Sequence, residues 1–413
     1  MIVCQAAWLA GKIWIGATPG WRGKMLLLVL SVVGGLVLAL LPETWISRFK
    51  DIGNMLSPKA RLTVLCFLIF GIGVFYVRSH RMDTDEARIF TASKRFAGEG
   101  AGPFLYEYAR TPALHRLHPP LATLIYGGVM RPEGPHLGTS RMISLFFSLG
   151  VFLLTYGIGT RLYDSATGFL AALALLSFPY FLRVGAIALT DMPAAFFSTI
   201  TLFLLIHLFR TEDYWIALLA GFSFGLSLLT KYTIVLLYPA VLSWFAMSGS
   251  LKKLRIHLAL FCLVSAGFLA AWIGYLHRAG VLSTHLEGIG FWTRHVTTFP
   301  EGRHFLSKSL LFSLPYAVGP YNLPLIFLGS SRLVNEAASS DWFTMWWAVP
   351  MAVALFLMLP EPRYFLPILP AVAIAVARGL RNLSGARDKA LLLALAYSAV
   401  SSFLSVIFHP LSS

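Results

Sequence analysis

The sequence predicts an all-α, polytopic integral membrane protein with about twelve membrane-spanning helices. Hydrophobic residues make up 57% of the 413 residues, charged residues make up only 12%, and the mean hydropathy is +0.73. A soluble domain carries about a quarter charged residues, so this much apolar surface requires lipid as well as a protein core. The alternating ten-residue pattern of a membrane β-barrel is not seen in the sequence.

Apolar runs near the ~20 residues that a spanning helix requires give the positions of the spans. They cover roughly 25–41, 62–77, 141–162, 167–183, 192–209, 214–230, 232–247, 255–277, 310–329, 342–359, 364–380 and 389–408. The run at 25–41 ends without a small-residue cleavage site, so it is expected to be a retained helix. The segment 121–130 is too short to span and predicts an interfacial or re-entrant helix.

Basic residues orient the spans. The densest basic stretches, 250–257 and 377–389, fall on one side of the membrane, which is cytoplasmic by the positive-inside rule. The other cations on that side are Arg161, Arg210 and Arg332. The loops 78–140 and 278–309 then face outward, and six of the 18 acidic residues lie in the first of them. Loops of that length usually carry function, so the external face of a cytoplasmic membrane is the predicted working surface.

The predicted organisation has three parts. Residues 1–60 form an extra N-terminal span with a cytoplasmic loop, residues 61–250 form a core with the external loop 78–140, and residues 251–413 form the C-terminal helices. The net charge of +15 does not predict a nucleic-acid partner, because the basic residues are scattered over loop ends and form no stripe. The three cysteines form no disulfide framework. No P-loop, dinucleotide-binding glycine motif, Cys/His metal spacing or G-x-S-x-G elbow occurs.

Carboxylates are concentrated just where the second span ends, in "SHRMDTDEARIF" at 79–90. Asp85 and Glu86 can supply a general base or hard oxygen ligands for a metal. The alternative is a helix start in which Thr84 or Asp85 caps the helix and the acids complement its dipole. In "AIALTDMPAAFF", Asp191 presents the same choice, since an N-cap before a Pro-initiated helix competes with a functional carboxylate close to the bilayer.

Cations stand at the external ends of other helices. His118 directly precedes two prolines in "LHRLHPPLATLIYG", where an ordinary helix entry is the alternative to a functional role. Lys231 lies at a tight turn between two apolar runs and can either snorkel to the headgroups or bind a lipid phosphate. Arg363 and Tyr364 open a span in "EPRYFLPILP", and arginine suits forked contacts with phosphate oxygens. Carboxylates in one loop, together with cations at the external ends of helices, indicate a site for an anionic substrate.

The order of these motifs resembles the GT-C superfamily of polyprenyl-phosphate-sugar glycosyltransferases. The similarity runs from "TDEARIF" through "HPPLATLIYG" to "GFSFGLSLLTKYTIVLLYPAVL", over about residues 80–245, and "PRYFLPILPAVAIA" resembles a later segment of the family. Within the superfamily, the chain looks most like lipid A aminoarabinose transferases and protein O-mannosyltransferases.

The resemblance implies transfer of a sugar from an external polyprenyl-phosphate donor to an acceptor hydroxyl of a lipid, glycan or protein, with inversion. Asp85 matches the base, with Glu86 beside it, and Asp191 matches an acid that assists the base or holds a metal. His118 matches the family's basic residue before the prolines. Lys231, Arg363 and Tyr364 are further candidates for binding the donor phosphate.

The sequence departs from the pattern at Leu117, where some relatives carry a glutamate that serves as a possible metal ligand. No cofactor is therefore predicted to be required, although a divalent metal is left open. Two alternatives to a glycosyltransferase also stay open: a polytopic transporter or lipid flippase, and a catalytically silent subunit that binds lipid. Few charges at the centres of the spans, together with the asymmetry of the two faces, disfavour a transporter.

Overall fold

The computed structural model describes residues 57–79, 82–111, 118–287, 317–318, 322, 326, 339–356 and 362–381. Within these ranges the regular structure is helical and no strand occurs. The predicted spans 25–41 and 389–408, and most of 310–329, lie outside the described residues. The count of about twelve spans therefore stays a prediction.

The α-helices are numbered here in chain order. They are α1 (Pro58–Ser79), α2 (Thr84–Glu99), α3 (Ala101–Arg110), α4 (Leu121–Glu133), α5 (Leu137–Leu162), α6 (Ser165–Leu176), α7 (Pro179–Gly185), α8 (Asp191–Thr211), α9 (Tyr214–Leu228), α10 (Leu237–Met247), α11 (Arg255–Arg278), α12 (Ser339–Phe356) and α13 (Leu369–Arg381). Two 3₁₀ helices, Tyr232–Leu236 and Pro362–Ile368, lead directly into α10 and α13.

Three of the described helices, α5, α8 and α11, are long and apolar enough to cross a bilayer on their own. They correspond to the predicted spans 141–162, 192–209 and 255–277. The short helix predicted at 121–130 is confirmed as α4, which ends at Glu133.

The prediction of one continuous span over 167–183 is wrong. The chain breaks into α6 and α7 at Phe178, which has an extended backbone with φ −83° and ψ 113°. Pro179 explains the break, because proline disfavours the helical conformation in the residue that precedes it and carries no N–H for the helix. Buried Asn322 lies at the break and donates to the Ser177 hydroxyl at 3.0 Å.

The start of α2 also differs from the prediction that Thr84 or Asp85 caps the helix. Asp83 is the cap, with an extended backbone and a side-chain oxygen that accepts from the Asp85 amide at 2.8 Å. Asp85 and Glu86 therefore occupy the first turn, where carboxylates complement the helix dipole. This start is rigid, so it fixes the directions in which the two side chains leave the helix.

The helix α5 packs against α6, α8 and α13 and connects two ends of the bundle. Near its first residue, Arg141 contacts Glu86 of α2; near its last, the Arg161 carbonyl accepts from Arg210 at 2.5 Å. Twenty residues of helix rise about 30 Å, the thickness of a bilayer's hydrocarbon core. The pairing agrees with the predicted grouping of Arg161 with Arg210 on the side opposite to the acidic loop.

Helices α5 and α6 touch at glycine, and this contact generates a stability prediction. A Cβ at Gly168 would lie 2.5 Å from the Tyr156 carbonyl oxygen and 2.8 Å from the Thr160 amide nitrogen. Gly168→Ala is therefore expected to cost about 1–3 kcal/mol of unfolding free energy, seen as a lower midpoint in thermal denaturation of detergent-purified protein. The control is Gly267→Ala in α11, where a Cβ meets nothing within 4 Å and helix propensity favours alanine. Equal midpoints for the two variants would contradict the contact.

Candidate active site

Asp85 lies in a partly exposed ion pair. Its Oδ2 is 2.7 Å from Nη2 of Arg363, and the two side chains are 23% and 18% exposed. A second cation, Arg88, lies one turn further along α2, with Nη1 3.6 Å from Asp85 Oδ1. The structure thus brings a predicted base and a predicted phosphate-binding residue into direct contact, although 278 positions separate them in the chain.

Glu86 lies in a second pair, which is fully buried. Its two oxygens accept from Nε and Nη2 of Arg141 at 2.7 and 2.6 Å in a forked contact, and the Ala188 amide donates to Oε1 at 3.0 Å. Arg141 also donates to the Val77 carbonyl at the end of α1. Glu86 has 0% exposed surface and offers no open face to a substrate in this arrangement. The geometry of Glu86 suits a positioning residue.

The loop before Asp191 is held at three consecutive residues by three different helices. The hydroxyl of Ser144 in α5 donates to the Ile187 carbonyl at 2.7 Å, and Glu86 in α2 accepts from the next amide, at position 188. The hydroxyl of Tyr126 in α4 then donates to the Leu189 carbonyl at 2.7 Å. Because these groups are buried, the loop reaches the start of α8 in a defined conformation.

Asp191 lies at the start of α8 and pairs with Lys231 through Nζ and Oδ1, with both side chains almost completely buried. The Lys231 ammonium also lies 3.9 Å from the centroid of the Tyr364 ring, within the range of a cation–π contact. The alternative that Lys231 snorkels to the lipid headgroups is wrong, because its ammonium points to an internal carboxylate. Asp191 is not a free carboxylate either, since Lys231 compensates its charge.

The 3₁₀ helix Pro362–Ile368 joins the partly exposed Asp85–Arg363 pair to the buried Asp191–Lys231 pair. Arg363 and Tyr364 are neighbours in the 3₁₀ helix, so one contacts Asp85 while the next lies beside Lys231. The segment is held in place by Trp347 of α12, whose indole N–H donates to the Pro367 carbonyl at 3.0 Å. The sequence motif "PRYFLP" therefore acts as a bridge between two parts of the site.

The segment that carries His118 is fastened to the same region through its backbone. The Tyr108 hydroxyl donates to the His118 carbonyl at 3.1 Å, and the Leu121 amide donates to the Leu229 carbonyl, two residues before Lys231. Burial raises the pKa of Tyr108, so its hydroxyl stays protonated as a donor. The His118 side chain is half-buried. Leu117 and residues 288–309 of the predicted external loop lie outside the described residues.

The acids of the site do not form a good set of metal ligands. Each of the three carboxylates already engages a cation, and among the described residues no group of three His, Cys, Asp or Glu side chains is placed to hold a metal ion. With Arg88 and the nearby acid Asp83, four cations lie beside four acids, so the site carries no net negative charge that would attract a divalent cation.

Sequence reasoning missed three buried residues of the site: Arg141, Tyr126 and Ser144. The signal for Arg141 is present in the sequence, since a charged residue in the first turns of a long apolar helix needs a partner of opposite charge. Tyr126 and Ser144 give no such signal. Their roles depend on carbonyl groups of a loop whose path appears only in three dimensions.

The buried pair generates a second stability prediction. Arg141→Met leaves Glu86 as an uncompensated buried charge and is expected to cost about 3–5 kcal/mol of unfolding free energy. The double variant Glu86→Gln/Arg141→Met removes both charges and is expected to lose less than the single variant. The exposed cation Arg88 is the control, because Arg88→Gln should change stability by at most about 1 kcal/mol. Thermal denaturation would contradict the buried pair if single and double variants melted alike.

Residues 117–273 match the family described as dolichyl-phosphate-mannose-protein mannosyltransferase. No individual curated protein matches the sequence significantly.

Solved structures match over most of the chain. ArnT from Cupriavidus metallidurans in the apo state superposes with a TM-score of 0.60 at 15% identity, over 78% of this chain and 60% of ArnT. The same enzyme bound to undecaprenyl phosphate gives a TM-score of 0.59, with the same identity and coverage. The Archaeoglobus fulgidus oligosaccharyltransferase in complex with Zn and sulfate gives 0.58 at 16% identity, over 84% of this chain and 53% of that protein.

The chain thus spans about 60% of the length of ArnT and about half of the archaeal enzyme. At these identities the likeness concerns the fold. The predicted fold class is confirmed: the chain is an α-helical membrane protein with the fold of ArnT and the archaeal oligosaccharyltransferase.

Proposed function

We propose that this chain is a membrane glycosyltransferase that moves a sugar from a polyprenyl-phosphate donor to a hydroxyl of a lipid, glycan or protein. The observation that carries the proposal is the partly exposed 2.7 Å contact between Asp85 and Arg363. It joins a carboxylate that can accept a proton to a cation that can face a phosphate. The guanidinium groups of Arg363 and Arg88 beside this carboxylate offer donors to an anionic donor molecule.

Asp85 is the proposed general base. It takes the proton of the acceptor hydroxyl, the hydroxyl oxygen bonds to the anomeric carbon of the sugar, and the bond from that carbon to the phosphate oxygen breaks. The electron pair of the broken bond stays on the lipid phosphate, which gains one negative charge. Asp85 suits this role because it is the most exposed carboxylate of the three at the site.

A direct displacement with inversion is the proposed stereochemical course. Retention through a covalent intermediate needs a second carboxylate close to the first, which attacks the sugar. The two other carboxylates of the site, Glu86 and Asp191, are buried in ion pairs with Arg141 and Lys231. We therefore assign them to positioning: Glu86 fixes the first turn of α2, and Asp191 fixes Lys231.

Four residues are proposed for the phosphate side of the site: His118, Lys231, Arg363 and Tyr364. Arg363 is the residue we expect to touch a phosphate oxygen, since its guanidinium is partly exposed and has several donors. Lys231 is buried and contributes through its charge, with Tyr364 holding it from the other side. His118 stands at the entry to α4, in a segment that a backbone hydrogen bond ties to the end of α9.

The proposed location is a cytoplasmic membrane, with this site on the external face. The end of the bundle opposite to the site carries Arg161, Arg210 and the basic stretch 250–257, which the positive-inside rule assigns to the cytoplasm. The donor class is supported by two similar structures, since ArnT has been solved with undecaprenyl phosphate bound and the archaeal enzyme with dolichol-phosphate. The archaeal structure with dolichol-phosphate superposes with a TM-score of 0.53 at 12% identity, over 84% of this chain and 56% of the archaeal chain.

The first functional prediction concerns the base. Asp85→Asn is expected to lower transfer by at least about 100-fold, because general base catalysis contributes roughly 10²–10⁴-fold to rate. Detergent-purified protein is given a panel of hexosyl and pentosyl polyprenyl phosphates with an envelope extract as acceptor, and release of free polyprenyl phosphate is measured. Asp83→Asn is the matched control, since asparagine caps a helix as well as aspartate does.

The three outcomes of this assay lead to different conclusions. Release that requires Asp85 identifies the donor and supports an enzyme. No release from any donor by folded protein would contradict the glycosyltransferase and favour the transporter or the silent lipid-binding subunit. Release that persists in Asp85→Asn would remove Asp85 as the base while leaving the enzyme.

The second functional prediction concerns metal ions. We propose that transfer requires no divalent metal, because cations of the chain already compensate each carboxylate of the site. Activity is expected to change by less than about twofold after exhaustive chelation and gel filtration, within the scatter expected for an unaffected site. Loss of activity on chelation, with recovery when a divalent ion is added back, would contradict this.

A further inference from the structure

The three acid–cation pairs of the site differ in how easily they can exchange partners. In the Glu86–Arg141 and Asp191–Lys231 pairs every side chain is at most 5% exposed. In the Asp85–Arg363 pair, the side chains are 23% and 18% exposed. Opening a buried pair strands a charge away from water, at a cost of several kcal/mol. The barrier is lower for the Asp85–Arg363 pair, because water or a substrate group can reach either partner.

Arg363 is mounted so that its side chain can change partner while its backbone stays fixed. The 3₁₀ helix that carries it is held by the bond from Trp347 to Pro367, and the ring of Tyr364 lies against the buried Lys231. Asp85 is likewise held at the first turn of α2, between Asp83, which caps the helix, and buried Glu86. We therefore expect an exchange to move the Arg363 side chain while both backbones stay in place.

The charges of the proposed reaction change in a direction that drives such an exchange. Before transfer, Asp85 is a carboxylate with charge −1 and the donor is a phosphodiester with charge −1. After transfer, Asp85 holds the acceptor's proton and is neutral, and the lipid phosphate is a monoester with charge near −2. The anion that pairs with Arg363 thus disappears at Asp85 as a stronger anion forms on the phosphate.

We propose that Arg363 switches partner in the course of transfer, from the carboxylate of Asp85 to the phosphate of the leaving polyprenyl phosphate. This inference rests on the proposed function. It gives Arg363 two tasks: it holds Asp85 in place when no phosphate is bound, and it stabilises the charge on the leaving group as Asp85 becomes protonated. When the lipid phosphate departs and Asp85 loses its proton, the original pair forms again.

Competition between Asp85 and phosphate for one guanidinium has a measurable consequence. To bind Arg363, polyprenyl phosphate must displace the Asp85 carboxylate. Removing the charge of Asp85 should therefore tighten the binding of polyprenyl phosphate. That gain should depend on Arg363, because without the shared cation there is no pair to displace. A residue that merely repels the phosphate through its negative charge would instead weaken binding equally whether or not Arg363 is present.

A double-mutant cycle on binding tests this without measuring turnover. Undecaprenyl phosphate is titrated into detergent-purified full-length protein, and undecaprenol serves as the uncharged probe. Asp85→Asn is expected to tighten the Kd by about fivefold to tenfold and Arg363→Gln to weaken it by about tenfold. In the Arg363→Gln background, Asp85→Asn is expected to change the Kd by less than about twofold. Asp83→Asn controls for loss of a nearby negative charge and should stay within about twofold of wild type.

Each outcome decides something. Tightening that disappears with Arg363 supports the exchange. Tightening of equal size in both backgrounds, or none in either, overturns the exchange while leaving Asp85-dependent transfer untouched. Failure of the wild-type protein to bind undecaprenyl phosphate better than undecaprenol would overturn both the exchange and the proposed donor. If Arg363→Gln is not recovered as folded protein, Arg363→Lys keeps the charge without the forked geometry and should reduce the coupling by at least about half.

Discussion

Glu86 and Arg141 bury opposite charges where α1, α2, α5 and the loop before α8 meet. A pair of this kind adds little net stability by itself, because both ions lose their water on burial. Its importance is geometric, since Arg141 binds both oxygens of Glu86 and the end of α1, and Glu86 also accepts from Ala188. Asp85 directly precedes Glu86, and Asp191 lies three residues after Ala188. The positions of both carboxylates therefore depend on these contacts. Breaking the pair would therefore disturb two carboxylates at once.

The same site divides its ion pairs into fixed and exchangeable ones. Glu86–Arg141 and Asp191–Lys231 are buried and fix the positions of the segments that carry them, whereas Asp85–Arg363 is partly exposed to solvent. This division fits a reaction in which charge moves from a base to a leaving group, because the surrounding charges must stay in place while one pair opens. An active site that is organised before the substrate arrives avoids reorganisation during the reaction.

The sequence is a good guide to the membrane class and to the polar residues of the site, and a poor guide to their partners. Apolar runs of the right length place α5, α8 and α11, because burial in lipid imposes a length that can be counted. The break at Phe178 was missed because hydropathy does not register what Pro179 does to the preceding backbone. The cap at Asp83 was missed for a similar reason, since Thr84, Asp85 and Asp83 are all suitable capping residues and only the backbone decides among them.

Contacts between residues far apart in the chain could not be predicted from local pattern. Lys231 at a turn between apolar runs is equally compatible with snorkelling and with an internal partner, and only the fold brings Asp191 to it. Arg363 was predicted to face phosphate, and the fold places it on Asp85. The residues were identified by their chemistry, whereas their pairing depends on how α2, α8 and the 3₁₀ helix before α13 pack together.

The most direct test is an experimental structure of the protein with undecaprenyl phosphate bound. The account predicts a phosphate oxygen at hydrogen-bond distance from Arg363, about 2.7–3.2 Å, with Asp85 released from the guanidinium. The Glu86–Arg141 and Asp191–Lys231 pairs should remain as they are. A phosphate bound elsewhere, with Asp85 and Arg363 still paired, would contradict the assignment of this cluster as the donor site.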